Sequence, residues 1–136
     1  MRRSIDIDGF RHRNPIPAAC RKGPFLVSGG IHGYDPRTGG LAEGCEAQIA
    51  LVFDHVKDLV EAGGGSTGDI IKMTFWLTDR ADRALVNPHW LRMFPDPADR
   101  PTRHTMRGNL DGDMKVQCDF LAVIETPLSE KAGDPQ

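Results

Sequence analysis

The chain has 136 residues, 39% of them hydrophobic and 26% charged, with a net charge of −2. That length fits one domain with one core, and the small net charge excludes the bulk basic field that gathers nucleic acid. The longest apolar runs fall far short of a membrane span, and the opening Met1-Arg2-Arg3-Ser4-Ile5-Asp6-Ile7-Asp8 lacks the apolar core of a signal peptide, so the cytoplasm is the expected compartment.

Ile5 and Ile7 alternate with Asp6 and Asp8, the pattern of a short edge strand ending at Gly9. Pro15 and Pro17 keep Asn14 to Cys20 extended, yet bar it from a fully bonded central strand. Arg21-Lys22-Gly23-Pro24 reads as a turn into Phe25-Leu26-Val27-Ser28, an apolar run of buried-strand type that stops at Gly29-Gly30. Those glycines either leave backbone N–H groups open to a ligand or make a bend with positive φ. Asp35-Pro36-Arg37-Thr38-Gly39-Gly40 is a loop with turn chemistry.

From Glu43 to Ala62, the residues Ala47, Ile49, Val52, Phe53, Val56, Leu59 and Val60 recur at three- and four-residue steps, which predicts the main helix. Gly63-Gly64-Gly65 ends it with a left-handed cap. Ile71, Met73, Phe75 and Leu77 share one face of a central strand, with Lys72, Thr74 and Trp76 facing elsewhere. Asn87-Pro88 is expected to cap a short helix reaching Phe94, with Trp90, Leu91 and Phe94 buried. Arg103 to Leu110, a turn at Asp111-Gly112-Asp113, and Met114 to Glu125 read as a hairpin.

In the last strand Val116, Cys118, Phe120, Ala122 and Ile124 form one face, and Lys115, Gln117, Asp119, Leu121 and Val123 the other. The second face is only half polar, so a homo-oligomer with ligand clefts between chains is expected. The fold is expected to occupy residues 1–126, leaving 127–136 as a disordered tail. Cys20, Cys45 and Cys118 are widely spaced and odd in number, hence free thiols, and the five histidines show no pair at helical ligand spacing, so no metal is expected. Pro97 and Pro101 stiffen the approach to Arg103, which starts a strand with its planar fork of donors set for a carboxylate, unless it pairs with a surface acid.

The succession Phe25-Leu26-Val27-Ser28-Gly29-Gly30-Ile31, Asp35-Pro36-x-Thr38-Gly39, Gln48 in the long helix, Glu61-Ala62-Gly63, Asp69-Ile70-Ile71-Lys72-Met73-Thr74, Val86-Asn87, Met93-Phe94-Pro95 and Arg100-Pro101-Thr102-Arg103-His104-Thr105 resembles the Rid family, the YjgF-like reactive intermediate deaminases. It covers about Pro15 to Glu125. The resemblance implies an α+β, chorismate-mutase-like subunit, a mixed β-sheet packed against two helices, assembled as a homotrimer with clefts between neighbours. It also implies hydrolysis of small enamines and 2-imino acids to 2-oxo acids and ammonia, with no cofactor required.

By position, Arg103 matches the arginine that grips the substrate carboxylate. Gly29, with Ser28 and Ile31, matches the wall after the first core strand, Asn87 the Val-Asn of the second helix, and Thr105 a backbone group lining the cleft. Gln117 stands where many deaminating members carry a glutamate that helps hold the attacking water; an amide can orient water but cannot take its proton. Asp119, on the same face, is either a substitute or a structural carboxylate. Pro17-Ala18-Ala19-Cys20 replaces the common Gly-Pro-Tyr-Ser, so the tyrosine that closes the cleft is missing and the substrate range is open. The leading expectation is that Arg103 fixes a carboxylate while water held by Gln117 or Asp119 attacks the imine carbon. Its rivals are a non-catalytic trimer binding small carboxylates or a partner, and a deaminase of a larger unsaturated amino acid. Ribonuclease action gains little from the net charge of −2.

Overall fold

A computed structural model describes residues 1–128. In chain order these form β1 (Arg3–Ile5), β2 (Ala19–Lys22), β3 (Phe25–Ser28), β4 (Ile31–His32), β5 (Tyr34–Asp35), β6 (Gly40–Leu41), α1 (Cys45–Ala62), β7 (Ile70–Leu77), α2 (Arg83–Met93), β8 (Thr102–Arg107) and β9 (Val116–Val123). The main sheet runs β1-β2-β3-β9-β7-β8, with β4 also paired to β9, while β5 and β6 make a separate small hairpin. Only β7 and β8 run parallel in that sheet. This is the expected α+β architecture of a mixed sheet and two helices.

The period-two alternation of β9 buries Val116, Cys118, Phe120 and Ala122 against the helices. Helix α1 covers them with Ile49, Val52, Phe53, Val56, Leu59 and Val60, each worth roughly 1.5–3 kcal/mol when fully buried. Ala47, expected on that face, lies at its exposed rim, and two polar residues, Gln48 and His55, take buried places instead. Gln48 is accommodated because its amide is spent: Nε2 donates to the carbonyls of Ala42 (3.0 Å) and Asp113 (3.1 Å), and Oε1 accepts from the Lys115 N–H (2.8 Å). Gly33 passes so close to Gln48 that a Cβ would strike its Cα and Cβ. The helix ends as expected in the glycine run, with Gly64 at φ 95° as the left-handed residue.

Several expectations are overturned by pairing and packing. The predicted Arg103–Glu125 hairpin does not form: β8 pairs with β7, and the chain then crosses to the far side of β7, where β9 lies between β7 and β3. The intervening α2 supplies the crossover that a parallel β7–β8 pair requires. Helix α2 starts at Arg83, after a 3-10 turn at Arg80–Asp82 in which Asp79 Oδ1 accepts from Ala81 N (2.9 Å). Asn87 and Pro88 are therefore inside the helix, not at its cap. Trp90 and Phe94 are buried as expected, but Leu91 points outward, a quarter turn away from Trp90.

A bulge between Ile70 and Lys72 in β7 makes Ile70 the core residue and leaves Ile71 exposed. Phe25 and Val27, expected in a buried run, are about half exposed, since only Leu26 and Ser28 face the helices. Arg21 belongs to β2 and is buried; it donates to the carbonyls of Gly63 (2.6 Å), Ile124 (3.3 Å) and Thr126 (2.5 Å), tying the end of α1 to the end of the sheet. Leu128, within the expected tail of 127–136, packs against the core; residues 129–136 of that tail lie outside the described residues. Among the described residues no helix is long and apolar enough to cross a membrane.

Candidate functional site

Arg103 sits on β8, at the edge of the sheet, and its register partner is Met73 on β7, which in turn pairs with Phe120. Register partners share a face, so Arg103 and, two residues on, Thr105 face the helices. There Arg103 Nη2 donates to Asn87 Oδ1 (2.9 Å), and its guanidinium carbon lies 5.1 Å from the Trp90 ring centre. The mid-helix position of Asn87 is what aims its amide at β8. Burial, and secondarily the Arg83 cation, make the charge on Arg103 less favourable than in water. Arg103 belongs to none of the ion pairs among the described residues. A half-buried guanidinium held by an amide and an indole, with no acid beside it among the described residues, keeps free donors in the planar fork that suits a carboxylate.

Gln117 and Asp119 lie on the opposite face, paired in register with Trp76 and Thr74 of β7. Burial pushes the Asp119 carboxyl above the ordinary range, partly offset by Lys72 and a hydrogen bond from Thr74. Gln117 borders a groove of ≈ 390 Å³ with Trp76, Arg107, Asn109 and Leu110. One chain thus carries Arg103 on one face of the sheet and Gln117 and Asp119 on the other.

The wall after β3 differs from expectation. The Gly29 N–H is not open, because it donates to the Ala18 carbonyl (2.9 Å), and neither Gly29 nor Gly30 has positive φ. Gly30 lies close to Gln117: a Cβ there would lie 2.9 Å from its Nε2, the movable end of that side chain. Ser28 is nearly buried and its Oγ accepts from the Phe120 N–H (2.9 Å), while Ile31 is fully buried, so the Ile31 side chain belongs to the core. The Thr105 hydroxyl is buried without a partner among the described residues.

The sequence pattern did not single out a cluster beside this wall. Phe10, fully buried, sets its ring 5.1 Å from that of His12 and 4.9 Å from that of His32. Its tilted neighbour His55, at 5.2 Å, donates through Nε2 to the Tyr34 carbonyl (2.7 Å). The three histidines come from the N-terminal segment, β4 and α1, and no local spacing announces such a gathering. Among the described residues no group of three His, Cys, Asp or Glu is placed to hold a metal ion.

Comparison with known proteins agrees with this architecture. Residues 11–124 match the family model described as Endoribonuclease L-PSP. The 2-iminobutanoate/2-iminopropanoate deaminase of Salmonella typhimurium is 34% identical over 103 residues, covering 74% of this chain and 80% of that protein. The crystal structure of RidA from the Antarctic bacterium Psychrobacter sp. superposes with a TM-score of 0.82 at 29% identity, covering 89% of this chain and 98% of that one. That of E. coli TdcF with bound serine gives 0.80 at 29% identity, covering 88% and 97%. With a family match over nearly the whole described domain and relatives above 30% identity, the chain belongs to the Rid (YjgF-like) family.

Proposed function

We propose that this protein hydrolyses small 2-imino acids to 2-oxo acids and ammonia in clefts between the subunits of a homotrimer. The observation that carries the reading is Arg103: a half-buried guanidinium, oriented by Asn87 and Trp90 and left without an acid among the described residues, matches the carboxylate of such a substrate. The relatives named as 2-iminobutanoate/2-iminopropanoate deaminases act on compounds of this kind, and the TdcF structure holds serine, another small carboxylate.

The two faces of the sheet support such an assembly. Phe25, Val27, Leu121 and Val123 lie side by side across β3 and β9 on the face turned away from the helices. Covering this apolar strip with further copies of the chain removes it from water and brings a neighbour's Gln117 toward the Arg103 edge. In that cleft Arg103 holds the carboxylate, and Gln117 orients the water that attacks the imine carbon. An imine is already electrophilic, so positioning supplies much of the rate.

Gln117 also favours one alternative, a trimer that binds small carboxylates without turning them over, because an amide cannot accept the proton of the attacking water. Ammonia release from freshly generated 2-iminopropanoate and 2-iminobutanoate separates the two. Turnover above the spontaneous rate is expected; pyruvate binding with no turnover of either imine would leave the binding reading.

A further inference from the structure

Gln117 orients water without a base of its own, and β4 sets an imidazole, His32, in register beside it. His32 on β4 is the register partner of Gln117 on β9, so the two side chains leave the sheet on the same face. Gly30, two residues before His32, lies directly against the Gln117 amide, and Gly29 faces His12, whose Nε2 would be 3.6 Å from a Cβ there. The His12 and His32 rings are 6.3 Å apart, and both stand edge-on to Phe10, which fixes them from behind. His12 Nε2 is buried with no hydrogen-bond partner among the described residues, an arrangement that costs about 1–3 kcal/mol unless a partner arrives. His55, the third imidazole, is already engaged by the Tyr34 carbonyl.

We propose that His32, backed by His12, is the proton acceptor and donor of this site, taking the proton from the water that Gln117 orients. The proposal rests on the deaminase reading above. The water oxygen forms the C–O bond as the C=N π pair moves to nitrogen; His32 takes one proton from that water and returns it to nitrogen. The hydroxyl proton of the resulting carbinolamine then passes by the same imidazole to nitrogen. The C–N bond breaks with its pair on nitrogen, the former O–H pair closes the carbonyl, and ammonia leaves.

A base must be unprotonated at working pH. Burial, then the neighbouring His12 of the N-terminal segment and His55 of α1, lower the His32 pKa from 6.5, while β9 presents the neutral Gln117 opposite it. His32 is therefore neutral at pH 7, as the role requires.

The test is ammonia release from freshly generated 2-iminopropanoate between pH 5 and 8, with pyruvate affinity measured in parallel for parent, His32→Gln and His32→Gln/Gln117→Glu. The parent should lose activity on the acid side with a midpoint below 6.5. His32→Gln should lower kcat roughly 100-fold, abolish that acid limb and keep its pyruvate affinity, and the added Gln117→Glu should recover part of the rate. A His32→Gln variant with the parent's rate and pH profile overturns the proposal and leaves the deaminase reading standing. A parent inert on the imine but binding pyruvate removes both. If His32→Gln does not fold, the imidazole ¹⁵N resonances of the parent decide: His32 should respond to saturating pyruvate, and a silent His32 overturns the proposal.

Discussion

Replacing Arg103 by alanine tests the cleft most directly, and the structure sets the size of the effect. The guanidinium has five N–H donors, and the described contact to Asn87 uses only one of its terminal nitrogens. A carboxylate fork needs two donors. Charge-assisted bonds of this kind contribute about 1.5–3 kcal/mol each, and because Arg103 is only half buried we take about 2 kcal/mol for the fork, or roughly 30-fold in Kd. The fold should tolerate the change, since the contact over Trp90 contributes only about 0.5–1 kcal/mol. Isothermal titration of parent, Arg103→Ala and Arg103→Lys with pyruvate should give weakening of roughly 30-fold for alanine and less for lysine, which keeps the charge but not the planar fork. An Arg103→Ala protein that is folded, keeps the parent's oligomeric state and binds pyruvate within twofold of the parent would refute the assignment of Arg103 to the carboxylate.

Gly33→Ala forces a Cβ into the Cα and Cβ of Gln48 and should cost about 3 kcal/mol or more, read as a lower urea midpoint; an unchanged midpoint would show that β4 is free to shift. Gln48→Ala strands the Ala42 and Asp113 carbonyls and the Lys115 N–H, for a loss of about 3 kcal/mol in the same measurement. Burial raises the Asp119 pKa above its ordinary 3.8, so the folded protein holds this proton more tightly than the unfolded chain, and the group costs stability as pH rises past 3.8. Asp119→Asn should therefore be more stable than the parent at pH 7, with the gain vanishing below pH 3.8, and a destabilised variant at pH 7 would contradict the sign. Val27→Lys places a charge in the exposed apolar strip and should shift light-scattering mass toward the monomer; an unaltered oligomer would move the interface elsewhere.

Local pattern is enough to locate α1, β3, β7 and β9, because each carries its own hydrophobic period and its own glycine or proline punctuation. Arg103, Gln117 and Asp119 could likewise be picked out by position, since the residues that resemble the Rid family run through most of the chain. The sharing of a face by Gln117 and Asp119 follows from period two alone. What the chain order could not convey is pairing between distant strands. A turn-like Asp111-Gly112-Asp113 looks the same whether its flanks pair with each other or straddle a third strand. Here β7 occupies the middle, because α2 lets β8 return parallel to it.

The start of α2 was likewise decided beyond its own sequence. Asn87-Pro88 has the chemistry of a cap, yet Val86 and Trp90 bury against the core, and that burial holds a helix that runs through Pro88. That outcome turns Asn87 from a capping residue into the hydrogen-bond partner that orients Arg103.

The sequence by itself determined the element types, the α+β class and the position of the arginine proposed for the carboxylate, all of which depend on residues near one another in the chain. Only the tertiary structure decided that Arg103 and Gln117 leave opposite faces of the sheet and that His12 and His32 gather on Phe10, with His32 in register with Gln117. The reason is physical: strand register and the packing of the N-terminal segment, through Phe10, on His32 and His55 are set by contacts between residues far apart in sequence, and no local period encodes them.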